Sequence, residues 1–357
     1  ISTAKSYESG NLINNLESQA SLKRNSLTGN GSFSYLQRGK GAFKLYTLAA
    51  NAGFSSGLRS SDRVNISTYL NSEIPLTELQ YRDKDNNSQR YGISFSSLIK
   101  IGNGLYLEPE LNANTLIESL DREQGIAGDG ETAIDSLSPL FERISVRFTP
   151  GLSIKKNLRN SKIVFGLALA MADCRNVLND TSSCNSSHMK LLPSFSWEYD
   201  YKTGHRISLD YNASVDEPQL SFLVPVVDNS NPQSLLYGNR TLKPETSHYL
   251  YANWLLFDQF SQTSVFARAG ATYTDDRVGY STTISDNLVQ TVHLLNTRNE
   301  VRMDGNAEFT TPLKFAGLNI HLAVDGRWSQ GQTFVNMEEN INTSLSHSYS
   351  VSFDNRK

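Results

Sequence analysis

Near its end the chain alternates without interruption. Leu345, His347, Tyr349, Val351 and Phe353 point one way, and Ser346, Ser348, Ser350 and Ser352 point the other. Successive side chains of a strand project to opposite faces, so this segment is oily on one side and wet on the other. The pattern recurs upstream, where Ile207, Leu209, Tyr211, Ala213 and Val215 alternate with Arg206, Ser208, Asp210, Asn212 and Ser214. Alternation over ten or more residues exceeds the five or six of an ordinary globular strand. A wall between lipid and water needs strands of this kind, about 9–11 residues long when tilted across a bilayer.

Alternating segments occupy nearly the whole chain. They read at 18–38, 42–55, 89–101, 104–118, 141–155, 162–173, 188–201, 205–217, 246–258, 262–275, 289–312, 316–329 and 344–354. Short turns separate them at 38–41, 102–104, 156–161, 202–204, 259–261 and 314–317, and long loops at 56–88, 119–140, 174–187, 218–245, 276–288 and 330–343. Short and long connections alternate strictly. A soluble sandwich has no reason to gather every long loop at one end, whereas a barrel with periplasmic turns and extracellular loops does. The prediction is an all-β chain forming a large antiparallel transmembrane β-barrel, with about 13 strands visible.

Composition agrees. Hydrophobic residues make up 38% and charged residues 19%, both below ordinary globular shares, and 16 Tyr and 16 Phe accompany abundant Ser, Asn, Thr and Gly. Such a mixture supplies a wet lumen, an oily outer face and aromatic belts. The net charge of −3 and the lack of a basic run in the sequence give no footprint for nucleic acid. The longest apolar run, 163–172, is too short for a spanning helix and matches a spanning strand, although a buried sandwich strand reads the same way. The segment around Ile1-Ser2-Thr3 has no charged start followed by an apolar run, so any signal peptide is removed or lies upstream.

One region is more specific. Leu192-Pro193-Ser194 opens a strand. Tyr211 to Pro218 closes the next, the loop Leu223-Val224-Pro225-Val226-Val227-Asp228-Asn229-Ser230-Asn231-Pro232 follows, and Gly238-Asn239-Arg240-Thr241-Leu242-Lys243-Pro244-Glu245 ends it. This succession resembles the large outer-membrane β-barrel proteins of Bacteroidetes-type bacteria, relatives of the TonB-dependent receptors. The resemblance implies a location in the bacterial outer membrane and import of a large nutrient. A non-transporting barrel, acting as scaffold or partner subunit of an outer-membrane assembly, is the alternative. It further implies contact with outer-membrane lipid and partners such as a plug domain, an energy-coupling protein or a surface lipoprotein. Neither a plug nor a TonB-interacting segment is visible within 1–357, which reads as one barrel domain. Thirteen strands conflict with the even number of single-chain bacterial barrels, so the expectation is a truncated portion of a larger one.

Few side chains invite a chemical role. Gly238, Asn239, Leu242, Lys243, Pro244 and Glu245 read as structural punctuation, with Gly238-Asn239 suited to a left-handed turn. Cys174 and Cys184 share one predicted loop and no other cysteine exists, so a loop disulfide is expected. Acidic groups at Asp83 and Asp85, Asp275-Asp276 and Glu338-Glu339 read as solvated loop charge rather than a metal site. No cofactor is implied, and no nucleophile, base and acid converge, so an enzyme is not expected. Leu220, Phe222, Leu223, Val224, Val226 and Val227 are too apolar for a solvated loop tip. They predict that 218–245 folds back over the barrel mouth or packs on a plug or partner, offering a contact surface.

Overall fold

The structure, a computed structural model, describes residues 2–8, 11–69, 76–126, 132–231, 233–285, 289–314 and 316–355. In chain order the first strands are β1 (Ser2–Glu8), β2 (Asn11–Arg38), β3 (Phe43–Tyr69), β4 (Leu76–Gly102), β5 (Leu105–Ile126) and the two-residue β6 (Thr132–Ala133). Next come β7 (Leu140–Asn157), β8 (Ser161–Leu178), β9 (Ser182–Lys202), β10 (His205–Asp216), β11 (Asp228–Asn231), β12 (Ser234–Tyr237) and β13 (Glu245–Asp258). The last are β14 (Thr263–Asp275), β15 (Val278–Ile284), β16 (Gln290–Asn296), β17 (Asn299–Leu313), β18 (Leu318–Val335) and β19 (Glu338–Asn355).

All belong to one sheet. Its wall is an antiparallel meander through β2, β3, β4, β5, β7, β8, β9, β10, β13, β14, β17, β18 and β19. The first strand adds to the β2 end remote from the Arg38 turn. Among the described residues no pairing joins β1 or β2 to β19, so the sheet is open.

All six predicted short turns stand where the sequence placed them. Gly41, Gly104, Gly204 and Gly317 take φ between 65° and 77° there, the left-handed region that suits glycine. Opposite them, four predicted loops are largely strand. Both β3 and β4 have 27 residues and run through most of 56–88, and β5 continues to Ile126. The 174–187 loop shrinks to a turn at Asn179-Asp180, and 330–343 to one at Asn336-Met337. Positive φ at both central residues of each is the primed-turn conformation that matches strand twist. Within predicted loop 276–288, β15 pairs antiparallel with β16, and predicted strand 289–312 is divided between β16 and β17. Alternation disappears where both faces turn polar, as in Asp83 to Ser88. Above the lipid no oily face is required.

The two faces have different solvents. Tyr91, Ile93 and Phe95 on β4, Val146 and Phe148 on β7, and Phe165 and Leu167 on β8 are large, apolar and exposed on one face. Two aromatic clusters lie on this outward face. Near the short turns, Trp197 stacks on Tyr199 with ring centroids 6.0 Å apart, Tyr201 lies tilted 6.3 Å beyond, and Trp254 Nε1 donates to Tyr201 Oη at 3.0 Å. Further along, Tyr211, His248 and Tyr273 lie 6.2 Å apart in succession. From Trp254 to His248 is roughly 20 Å along β13, at about 3.4 Å per residue. That approaches the apolar band of about 25 Å between the aromatic girdles of outer-membrane barrels.

Candidate binding site at the barrel mouth

The opposite face receives the 218–245 loop. At its start Arg143 Nη1 donates to the Pro218 carbonyl at 2.6 Å, and Arg147 donates to the Val215 carbonyl and Glu217 Oε1, both at 3.1 Å. Glu118 on β5 balances Arg143. A single helical turn, α1 (Leu220–Leu223), then carries Leu223 and Val224 into a buried cluster with Leu120, Phe141, Leu242 and Leu294. Leu220, Phe222 and Val226 pack against it. Each fully buried Leu or Val of this kind contributes about 1.5–3 kcal/mol relative to exposure. The loop therefore lies folded over the chain's own strands β5 and β7, and its apolar side chains are largely spent in that contact.

The closing motif ties this fold to its neighbours. A Cβ on Gly238 would lie 2.1 Å from the Val224 carbonyl oxygen and 2.8 Å from that of Phe222. Gly238 is not in the left-handed region; close backbone approach, rather than turn handedness, requires the glycine. Asn239 donates through its backbone to the Phe222 carbonyl at 2.7 Å and through Nδ2 to the Leu294 carbonyl at 3.0 Å. Leu242 is buried in the cluster, and the Lys243 N–H meets Asn296 Oδ1 at 2.8 Å. Pro244 leads into β13, and Glu245 Oε1 accepts the Val278 N–H at 2.6 Å.

The expected disulfide is not formed, and both cysteines are free. Extension of β8 and β9 places Cys174 opposite Ser186 and Cys184 opposite Asn176, a diagonal relation. Diagonal partners stand about 7–8 Å apart, beyond ordinary disulfide reach. The buried Cys174 thiol donates to Ser145 Oγ at 3.2 Å.

A basic cluster invisible in the linear sequence forms where β11 meets β3, β4 and β5. The Arg82 guanidinium grips Asp228 with Nη1 at 2.6 Å and Nη2 at 2.8 Å. Beside this pair, Arg59, Lys84 and Arg122 stand directly opposite one another across three strands. Arg122 gives Nε to the Leu137 carbonyl at 2.9 Å and Nη2 to the Val227 carbonyl at 3.0 Å. Burial, then repulsion from Arg82, lowers its pKa to about 10. The same causes in the same order lower Lys84, and burial, Arg82 and Arg59 lower Arg63. Burial alone would raise the Asp228 carboxyl; the hydrogen bonds and charge of Arg82, with the Ser230 N–H, hold it well below the usual carboxylate range. The partly open cavity there is about 140 Å³, lined by Arg59, Arg63, Arg82, Lys84, Gln124 and Asp228 among others.

The sequence signal for this cluster was period-2 basic placement: Arg59 and Arg63 on one strand, Arg82 and Lys84 on the next. Reading 56–88 as loop hid it. Asp83 and Asp85 stand in β4 rather than in a solvated loop; they alternate with Lys84 and so belong to the opposite face of the strand.

A family model for the outer membrane protein beta-barrel family matches residues 151–356, more than half of the chain. The chain belongs to that family. It is a protein of the bacterial outer membrane. Among solved structures, this barrel is similar to the Serratia marcescens hemophore receptor HasR, at 10% identity and TM-score 0.54, over 89% of this chain and 54% of that one. It is also similar to the RagAB peptide transporter, at 12% identity and TM-score 0.53 over 91% and 37% of the respective chains. The copper transporter OprC gives 11% and 0.51 over 90% and 58%. These likenesses show a shared fold, and the chain spans about half or less of the length of those proteins. No curated protein matches it.

Proposed function

We propose that this barrel is the wall of an importer that takes a bulky nutrient across the outer membrane. The observation that carries the reading is the polar inward face capped by a self-packed loop, on a fold shared with receptor and transporter barrels. A structural scaffold needs no cationic cavity, and Arg59, Arg63 and Lys84 line one at the mouth with no ion-pair partner among the described residues. A plug, an energy-coupling protein and a surface lipoprotein are the partners this reading calls for.

The test is growth and uptake in the native bacterium, comparing the wild-type gene with one lacking 220–231. The import reading expects lost uptake of at least one nutrient class while a heat-resistant barrel still reaches the membrane. Normal uptake of every nutrient tested, with intact assembly, would favour the scaffold.

A further inference from the structure

Like charges directly opposite on adjacent strands are destabilising, and here three stand in one row: Arg59, Lys84 and Arg122. Arg63 stands on the same face of β3, two pairs along, and Arg82 lies between. One carboxylate, Asp228, lines the cavity with them, and Arg82 takes both of its oxygens. Among the described residues Arg59, Arg63 and Lys84 have no ion-pair partner. Arg122 is buried and bonded to two carbonyls, Arg63 and Lys84 are half-buried against the cavity, and Arg59 is exposed at its edge.

We infer that the β3–β4–β5 row with β11 is a binding site for the oxyanion group, phosphate or carboxylate, of an incoming ligand. An anion seated between Arg59, Arg63 and Lys84 would relieve their repulsion and accept charge-assisted hydrogen bonds from them. Gln124 and Ser230 line the same space, with Gln124 Nε2 donated to Asn229 Oδ1 and the Ser230 N–H to Asp228. The cavity of about 140 Å³ is smaller than the roughly 300–1,000 Å³ that encloses a drug-sized molecule. It therefore takes the charged group of a ligand whose remainder lies in the mouth. The basic row is on the loop-bearing face, away from the outward apolar band, which favours a soluble ligand over a lipid headgroup. As a statement about substrate the inference rests on the import reading, but binding and uptake are measured separately.

The experiment uses full-length protein purified in detergent, with pyrophosphate and citrate as soluble probes and lipopolysaccharide as the lipid one. Sodium chloride at matched ionic strength is the control. Expected is a rise in melting temperature with pyrophosphate or citrate beyond that with chloride, and a binding isotherm by calorimetry. Lys84→Met with Arg59→Gln should weaken binding about tenfold or more. Without ligand at low salt the same double variant should melt higher than wild type, because repulsion is gone. Lys84→Arg, which keeps the charge, should retain binding. No stabilisation beyond chloride, or equal binding by the double variant, would overturn the inference. Stabilisation by lipopolysaccharide alone would overturn the soluble-ligand assignment. Binding that persists in a barrel that transports nothing would leave the site standing and remove the import reading.

Discussion

Arg82 on β4 and Asp228 on β11 form a bidentate pair, 2.6 and 2.8 Å long, across 146 residues of sequence. It is the ionic tie between the wall and the distal half of the mouth loop. Arg82→Ala leaves Asp228 unpaired in a partly buried site. The expected cost is about 1–3 kcal/mol, below the value for a fully buried pair, because the side chains keep 16% and 31% of their exposure. Limited proteolysis should cut 218–245 faster in the variant while β13 stays protected.

The same pair sets a pH limit. A carboxyl whose folded-state pKa is depressed stabilises the fold above its unfolded value and loses that contribution as pH falls through the folded one. For Asp228 the contribution is complete above about 3.8 and fades below it. Hydrogen exchange of the loop should therefore accelerate in strong acid in the wild type. In Asp228→Asn the acid-linked change should be smaller.

The wall gives a two-face prediction. Leu322 pairs with Phe309 and Val351 on the outward face, and Ser350 pairs with Ala323 on the other. Arginine at Leu322 should cost about 2–4 kcal/mol in a refolding titration, and at Ser350 little. Equal costs would contradict the assignment of faces.

Gly238→Ala forces a methyl against two carbonyl oxygens of α1 and its successor. Overpacking of this kind costs about 1–3 kcal/mol, here borne by the loop. Loop proteolysis should rise while the barrel's resistance to heating in detergent is unchanged.

Protein isolated without reductant should show two free thiols by mass. Burial pushes the Cys174 thiol up, so it should alkylate slowly at neutral pH, and Cys184, partly exposed, should react first.

The sequence carried the wall because lipid imposes a rule on every second residue: Leu345 to Phe353 and Ile207 to Val215 display it openly. It carried the turns through glycine, as at Gly104 and Gly204. It did not carry the extracellular halves of β3, β4, β8 and β9, where water on both sides removes the rule and Asp83-Lys84-Asp85 reads as loop. The basic site sits in one such half, so it became visible only once register placed Arg59, Lys84 and Arg122 in line. The disulfide expectation failed for the same reason, since a supposed flexible loop is a hairpin that fixes Cys174 and Cys184 off-register.

The anchors of the mouth loop also bear on how the chain assembles. Arg82, Arg122 and Arg143 all precede the loop, and their bonds close stretches of 146, 105 and 75 residues. Such distant closures come late, once intervening strands have paired. A slip of one residue in β4 or β7 would turn Arg82 or Arg143 to the outer face and leave the loop nothing to grip. Docking of the loop thus proofreads strand register: it succeeds only on a wall already built in the right alignment.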